Sequence, residues 1–287
     1  MLRSSNPILS KQDAFTPAAP QHGQSPYGQN QFGATQGYAP YPGQQAYQDP
    51  QSQRLQPDVS GARMTLDDVI TKTAITMAVL IATAALAWNF IDASFYLPAL
   101  VGSGLIGFVV VMIVSFRRVV NPGLVLAYAA IEGVFIGLIS KYFEVYLDLP
   151  GIVTQAVIGT FAAAGVTLAA YKFFNIRVTP KFQRVVIIAT ISFAVASLLN
   201  FALSFAGVNL GLRGPNGEGS ISLLAIGFSL LGAVLAVLNL VLDFDYIEKG
   251  VAMGAPAKES WRGAFGLTVT MVWLYIEILR LLSYLRR

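Results

Sequence analysis

Seven long apolar segments are the feature of this 287-residue sequence that most restricts its fold. A helix needs about 20 apolar residues to cross the roughly 30 Å hydrocarbon core of a bilayer. Five of the seven segments contain no charged residue, one contains only Glu132, and the last contains Glu277 and Arg280. The segments are Thr73–Phe90, Ala93–Phe116, Val119–Ser140, Leu149–Tyr171, Val185–Leu212, Gly219–Leu242 and Gly263–Leu285. This pattern predicts an all-α, polytopic membrane protein with seven transmembrane helices.

The composition supports a membrane protein and removes several kinds of catalytic site. Hydrophobic residues make up 55% and charged residues 12% of the chain, whereas soluble domains carry about 25% charged residues. Cysteine is absent and the only histidine, His22, lies in a polar tail, so thiolate, Ser/His and His-ligated metal chemistry lack their residues. The sequence also lacks the GxGD motif of aspartyl intramembrane proteases and the GxxxxGK[ST] loop that binds phosphate. The last span has no lysine to which retinal could attach. We therefore expect neither an enzyme nor a resident cofactor.

The first part of the chain has the opposite character. Its first 60 residues hold eight of the 14 prolines, twelve glutamines and four tyrosines, without a long apolar segment. Such a sequence buries too little apolar surface to offset the roughly 1–2 kcal/mol per residue that backbone ordering costs. We predict a disordered, Pro/Gln/Gly/Tyr-rich cytoplasmic tail over residues 1–62 and a seven-helix transmembrane domain over residues 63–287. A partner-binding or self-associating role for the tail stays open.

The distribution of basic residues predicts the orientation of the chain in the membrane. Seven spans place the two termini on opposite sides, and loops rich in lysine and arginine remain in the cytoplasm. Twelve basic residues near the membrane fall on the N-terminal side, and only Lys141, Arg213, Arg286 and Arg287 fall on the other. We therefore predict a multi-pass protein with a cytoplasmic N-terminus, and we expect its membrane to be a bacterial plasma membrane.

Ionisable residues inside the predicted spans are candidate functional groups, because burying a charge in the bilayer costs several kcal/mol. Glu132 lies near the centre of the third span, where it is either a proton- or cation-binding group or a structural carboxyl. Asp243 closes the sixth span, and Asn239 lies one turn before it, so the two side chains could line one path. Glu277 and Arg280, three residues apart, could instead neutralise each other along the helix.

Four segments carry a resemblance to a known family. They are Arg117–Pro122 (RRVVNP), Ala130–Gly137 (AIEGVFIG), Leu242–Gly250 (LDFDYIEKG) and Trp273–Leu282 (WLYIEILRLL). On these segments the chain resembles the transmembrane Bax inhibitor motif family, in particular its actinobacterial branch of Bax inhibitor/YccA-like membrane proteins. The resemblance implies a fold in which six helices, in two layers of three, surround a central seventh.

The resemblance also implies a function. Characterised bacterial members of the family are pH-sensitive calcium leak channels, in which a carboxylate at the end of the sixth span pairs with an acid in the seventh. The matching residues here are Asp243 and Glu277, which would be the calcium ligands, and Arg117 or Arg118 would join them. Two carboxylates that share a site can take up a proton or bind a hard cation through oxygen.

The leading hypothesis is therefore a proton-gated, carboxylate-lined cation path that contains Asp243, Glu277, Glu132, Arg117, Arg118 and Asn239. The expected partners are the lipid bilayer, calcium ions or protons and a membrane protein, but not nucleic acid. The alternative hypothesis is a non-transporting regulator that binds a membrane protease or another membrane complex. Mutations separate the two, because only a leak depends on the acidic residues inside the spans.

Overall fold

The computed structural model describes residues 62–174, 176–208, 210–212 and 222–286, so the predicted tail before residue 62 lies outside the described residues. Within the described residues, seven α-helices are long and apolar enough to cross a membrane. They are α1 Leu66–Phe90, α2 Ala93–Phe116, α3 Pro122–Lys141, α4 Ile152–Phe173, α5 Pro180–Phe205, α6 Leu223–Ala252 and α7 Glu259–Leu285. A π-helical segment, Tyr142–Tyr146, continues α3. The predicted all-α architecture of seven spans is confirmed.

The helix ends fall on two sides of the bundle. The first side holds the start of α1 and the connections α2–α3, α4–α5 and α6–α7. The second side holds the other connections and the end of α7.

Side-chain oxygens on the residues before α1, α3, α5 and α6 accept hydrogen bonds from backbone N–H groups of the first turn; these residues are Thr65, Asn121, Thr179 and Ser222. Such caps satisfy donors that would otherwise lack partners where a helix begins.

The seventh helix is the centre of the bundle. In the apolar 18-residue segment of α7, 50% of the residues are buried inside the protein, whereas only 11% are buried in the corresponding segment of α5. It packs against α1 and α3 on one face and against α4 and α6 on the other. α2 packs on α3 and α5 packs on α6, so each outer layer contains three helices. The central seventh helix that the family resemblance implied is confirmed.

Several helices extend beyond the apolar segments that predicted them, α1 and α6 by the most residues. α1 begins at Leu66 rather than Thr73, and α6 continues to Ala252 rather than ending at Leu242. Both extensions carry charged residues that pair along the helix, one of them through Lys249 Nζ, which lies 2.6 Å from an Asp245 carboxylate oxygen. Pairs spaced by four residues stabilise a helix on its solvent-facing turns. Asp243 therefore lies well inside α6 and not at its end.

Glycines bring α1 and α3 into close contact. A Cβ atom at Gly133 would overlap the Thr83 hydroxyl and the Leu80 carbonyl oxygen, and one at Gly137 would overlap the Ala84 carbonyl oxygen. Glycines spaced by four residues form a flat strip on one helix face, which lets a neighbouring backbone approach. This strip holds the inner two helices of one layer together.

A short backbone pairing joins the start of the described chain to the connection before α7. The Met64 N–H donates to the Ala255 carbonyl oxygen, and the Ala257 N–H donates to the Ala62 carbonyl oxygen, both at 2.7 Å. The Met64 side chain is buried (2% exposed) against α6. The residues before α1 therefore help to fix where the central helix begins.

Candidate functional site

Asp243 faces the central helix. Thr270 Oγ1 on α7 donates a hydrogen bond of 2.7 Å to Asp243 Oδ2. The other carboxylate oxygen, Oδ1, lies over Gly266, where a Cβ atom would come within 3.2 Å of it. Thr270 thus supplies a hydrogen-bond donor, and Gly266, one turn earlier on α7, leaves the space that the half-buried carboxylate occupies. This contact joins an ionisable group of α6 to the central helix.

The expected pairing of Asp243 with Arg117 or Arg118 is wrong. Both arginines follow the end of α2 with exposed side chains, and no salt bridge among the described residues joins them to Asp243. Their carbonyl oxygens instead accept hydrogen bonds from Arg262 Nη2, at 3.3 and 2.8 Å. The structure therefore shows no contact between either arginine side chain and Asp243 among the described residues.

Glu277 pairs with its own helix. Arg280 Nη1 lies 2.8 Å from Glu277 Oε2, with only 12% and 1% of the two side chains exposed. The carboxylate also packs on α6, where a Cβ atom at Gly232 would lie 2.9 Å from Glu277 Cδ and 3.0 Å from Oε1. Of the two interpretations that the sequence allowed, the local ion pair is confirmed.

Asp243 and Glu277 do not meet. Glu277 lies opposite Gly232, which precedes Asp243 by eleven residues on α6, a rise of about 16 Å along the helix. The carboxylate pair expected for calcium is therefore wrong for this structure, because Thr270 occupies the position opposite Asp243. Among the described residues there is no group of three or more His, Cys, Asp or Glu side chains suited to a metal ion.

Glu132 lies apart from both acids. Its side chain faces α2, where a Cβ atom at Gly107 would come within 2.8 Å of Glu132 Oε2. The half-buried carboxylate forms no hydrogen bond or ion pair with any other described residue. α2 accommodates this acid through a glycine, and the structure does not bring it to the α6–α7 contact.

Asn239 faces away from the central helix. Its Nδ2 donates to Thr190 Oγ1 on α5 at 2.7 Å and to the Leu235 carbonyl oxygen at 2.8 Å. Asp243, one turn later, bonds to α7 instead. The structure does not bring the two side chains to a common path, although both lie in the same part of α6.

Hydroxyl groups on the central helix are the site residues that the sequence did not reveal. The Thr268 hydroxyl bonds to that of Thr76 on α1 at 2.9 Å, and the Tyr275 hydroxyl bonds to that of Ser140 on α3 at 2.7 Å. With Thr270, they give α7 polar contacts to α1, α3 and α6. Uncharged hydroxyls are common in apolar spans, and α1 and α5 hold nearly as many as the last span, so no sequence signal could have singled these out.

Comparison with known proteins places the chain in a family. A family model described as Bax inhibitor 1 like matches residues 6–287, which includes all seven helices and the four segments that carry the resemblance. A search of the curated proteins finds no match. The family match spans nearly the whole chain, and the fold has the central seventh helix that the resemblance implied. The protein is therefore a seven-helix membrane protein that belongs to the Bax inhibitor 1 like family.

Proposed function

We propose that this protein is a proton-gated cation leak, with calcium as the expected ion, and that its gate is the contact between α6 and α7. One observation carries the proposal. Asp243, an ionisable group in a helix long and apolar enough to cross a membrane, bonds to the hydroxyl of Thr270 and to no arginine or lysine among the described residues. Ionisable side chains inside membrane spans are rare and mark ion or proton pathways.

Protonation of Asp243 changes the strength of this contact. A hydrogen bond to a charged group is worth about 1.5–3 kcal/mol, and one between neutral groups about 0.5–1.5 kcal/mol. Protonation therefore weakens the Thr270–Asp243 bond by about 1 kcal/mol, which shifts a two-state equilibrium about fivefold. The ionised form favours the closed α6–α7 contact, so acidification increases the open population.

Asp243 is the one acid that we place on the proposed path. Oxygen atoms are the ligands that calcium prefers, and the Asp243 carboxylate and the Thr270 hydroxyl supply them where α6 meets α7. The Thr268 and Tyr275 hydroxyls face α1 and α3 instead, and Glu277 is already neutralised by Arg280. The path that we propose therefore depends on Asp243 together with the Thr270 hydroxyl.

Asp243→Asn tests the gate. Asparagine imitates the protonated acid, so the variant should leak calcium about fivefold faster than the unmodified protein at neutral pH and respond little to acid. Thr270→Val removes the donor but keeps the acid, and should also raise the neutral-pH leak and flatten the pH profile. The measurement is calcium flux into proteoliposomes of purified protein, from acidic to neutral pH.

Two matched variants control for nonspecific effects. Thr268→Val removes a buried hydroxyl from the same helix without touching Asp243, and Glu132→Gln neutralises an acid that faces α2. Neither variant should change the flux at neutral pH or move the pH midpoint of the leak. An Asp243→Asn protein that titrates like the unmodified one would place the gate elsewhere, and the absence of flux at every pH would favour the regulator hypothesis.

We also propose that the first side faces the cytoplasm. The α4–α5 connection and the start of α5 present four exposed basic residues on that side, Lys172, Arg177, Lys181 and Arg184, with no acidic residue between them. Short basic connections remain cytoplasmic. A reporter fused after Lys172 should be active only as a cytoplasmic protein, and one fused after the last residue only as an extracytoplasmic one. The reverse pattern would invert the topology.

A further inference from the structure

A cavity of about 400 Å³ lies between α1, α3, α4 and α7, in the half of the bundle near the second side. Its walls come from residues 77–89 of α1, 136–140 of α3, 153–161 of α4 and 271–275 of α7, together with Glu144 of the π-helical segment. The volume lies within the range of about 300–1,000 Å³ that is typical of small-molecule sites. The cavity lies apart from Asp243, and the proposed gate does not use it.

The lining of this cavity favours hydrocarbon over water. Most of its residues are apolar, and the acid among them, Glu144, accepts a hydrogen bond of 3.1 Å from the Val153 N–H. The Ser140 and Tyr275 hydroxyls bond to each other at 2.7 Å, and Thr160 and Asn89 each donate to a carbonyl oxygen of their own helix. A buried water needs about two to four polar partners, and at the inner end of the cavity the Tyr275 hydroxyl already bonds to Ser140 among apolar neighbours.

The cavity opens sideways between α1 and α4. Ile81 of α1 and Val157 and Phe161 of α4 line it and are also 55%, 39% and 50% exposed, so they form its mouth. The two helices border the opening without packing closely against each other. Exposed apolar surface on membrane-spanning helices faces lipid hydrocarbon, so the mouth opens onto acyl chains.

The two ends of the cavity differ. The inner end reaches α7 at Met271, Val272 and Tyr275, which are 8%, 6% and 7% exposed. The other end lies at the last turn of α1, where Trp88 and Asn89 border it close to the second side. Tryptophan at the end of a span lies at headgroup level. An apolar interior with a polar outer end matches the shape of a lipid.

We propose that this cavity binds one acyl chain of a membrane phospholipid, which enters between α1 and α4 and ends against the central helix. The headgroup lies at the second side, beside Trp88 and Asn89. An empty apolar cavity would forfeit the dispersion contacts of its walls, and the bilayer supplies a chain of the right chemistry at the mouth. This site is independent of the proposed conduction.

Photo-crosslinking of a lipid tests the site. The full-length protein is placed in nanodiscs that contain a phosphatidylcholine with a diazirine at the end of one acyl chain, irradiated, digested and mapped by mass spectrometry. We expect labels on Met271 or Val272, which are buried beneath the mouth and lie beyond the reach of surrounding lipid. Labels confined to outward-facing residues such as Ile158, which is 63% exposed, would overturn the proposal.

Matched variants distinguish the cavity from the protein surface. Val157→Phe narrows the mouth and should reduce labelling of α7 at least tenfold, whereas Ile158→Phe adds the same ring at the next residue, which does not line the cavity, and should not change it. Ala85→Phe fills the cavity from the α1 wall and serves as the second test if Val157→Phe fails to elute as a folded protein. Equal labelling of α7 in the filled and control proteins would contradict the proposal.

Discussion

Arg280→Met is expected to destabilise the folded protein by about 3–5 kcal/mol, because it breaks a buried ion pair by removing one partner. Glu277 is 0% exposed and would lose the cation that stabilises its carboxylate against Gly232 of α6. Methionine retains much of the volume of the arginine stem, so lost packing contributes little. The loss should lower the unfolding temperature by about 10 °C, measured by heating the purified protein and quantifying the remaining folded peak by size exclusion.

A double variant separates the uncompensated charge from other effects of the substitution. Glu277→Gln combined with Arg280→Met removes both charges, and it should recover more than half of the stability that Arg280→Met alone loses. Lys249→Met breaks a pair of the same type on α6 whose lysine is 56% exposed, and it should cost less than about 1 kcal/mol. Equal stability of Arg280→Met and Lys249→Met proteins would show that burial of the Glu277 pair is unimportant.

The Glu277–Arg280 pair also limits which acid can serve the proposed leak. A carboxylate that is held by an arginine and fully buried has little capacity for a passing ion. Asp243, by contrast, is half-buried and has a neutral donor. The two acids that the family resemblance grouped together therefore have separate roles in this chain, one in stability and the other in the proposed gate.

The spans were predictable because a bilayer imposes one requirement on every helix, a minimum length of apolar sequence. The start of α1 and the end of α6 were not predictable, because paired charged residues can continue a helix beyond its apolar segment. Asp68 pairs with Lys72 on α1, and Asp245 pairs with Lys249 on α6. A hydropathy profile counts such residues only as charges, so the predicted segment ends before them. The location of Asp243 inside α6 follows from that extension.

Local contacts of the site were predictable and contacts between helices were not. The Glu277–Arg280 pair depends only on a spacing of three residues on one helix. The partner of Asp243 depends on the axial register between α6 and α7, which the residue types on either helix do not indicate. Thr270, the residue that contacts Asp243, precedes Glu277 by seven residues. It therefore lies about 10 Å along α7 from the partner that the family resemblance implied.

The second large effect is expected at the glycine strip of α3. Gly133→Ala and Gly137→Ala each place a methyl group against the α1 backbone, and a backbone atom cannot rotate away as a side chain can. Overpacking of this kind costs about 1–3 kcal/mol per site, and the double variant should yield little folded protein by size exclusion. The two residues lie one turn apart, so a single shift of α1 that accommodated both methyls would make the double variant milder than the sum.

Gly165→Ala is the matched control for that experiment. Gly165 lies within α4, and a Cβ atom there would meet nothing within 4 Å. Alanine is favoured over glycine inside a helix by about 0.5–1 kcal/mol, so this variant should be as stable as the unmodified protein or slightly more stable. The same chemical change thus has opposite signs at two helical positions, because at Gly137 the Ala84 carbonyl oxygen already fills the space of the new methyl group. Normal stability of the Gly133→Ala/Gly137→Ala protein would mean that α1 and α3 are not held in this close contact.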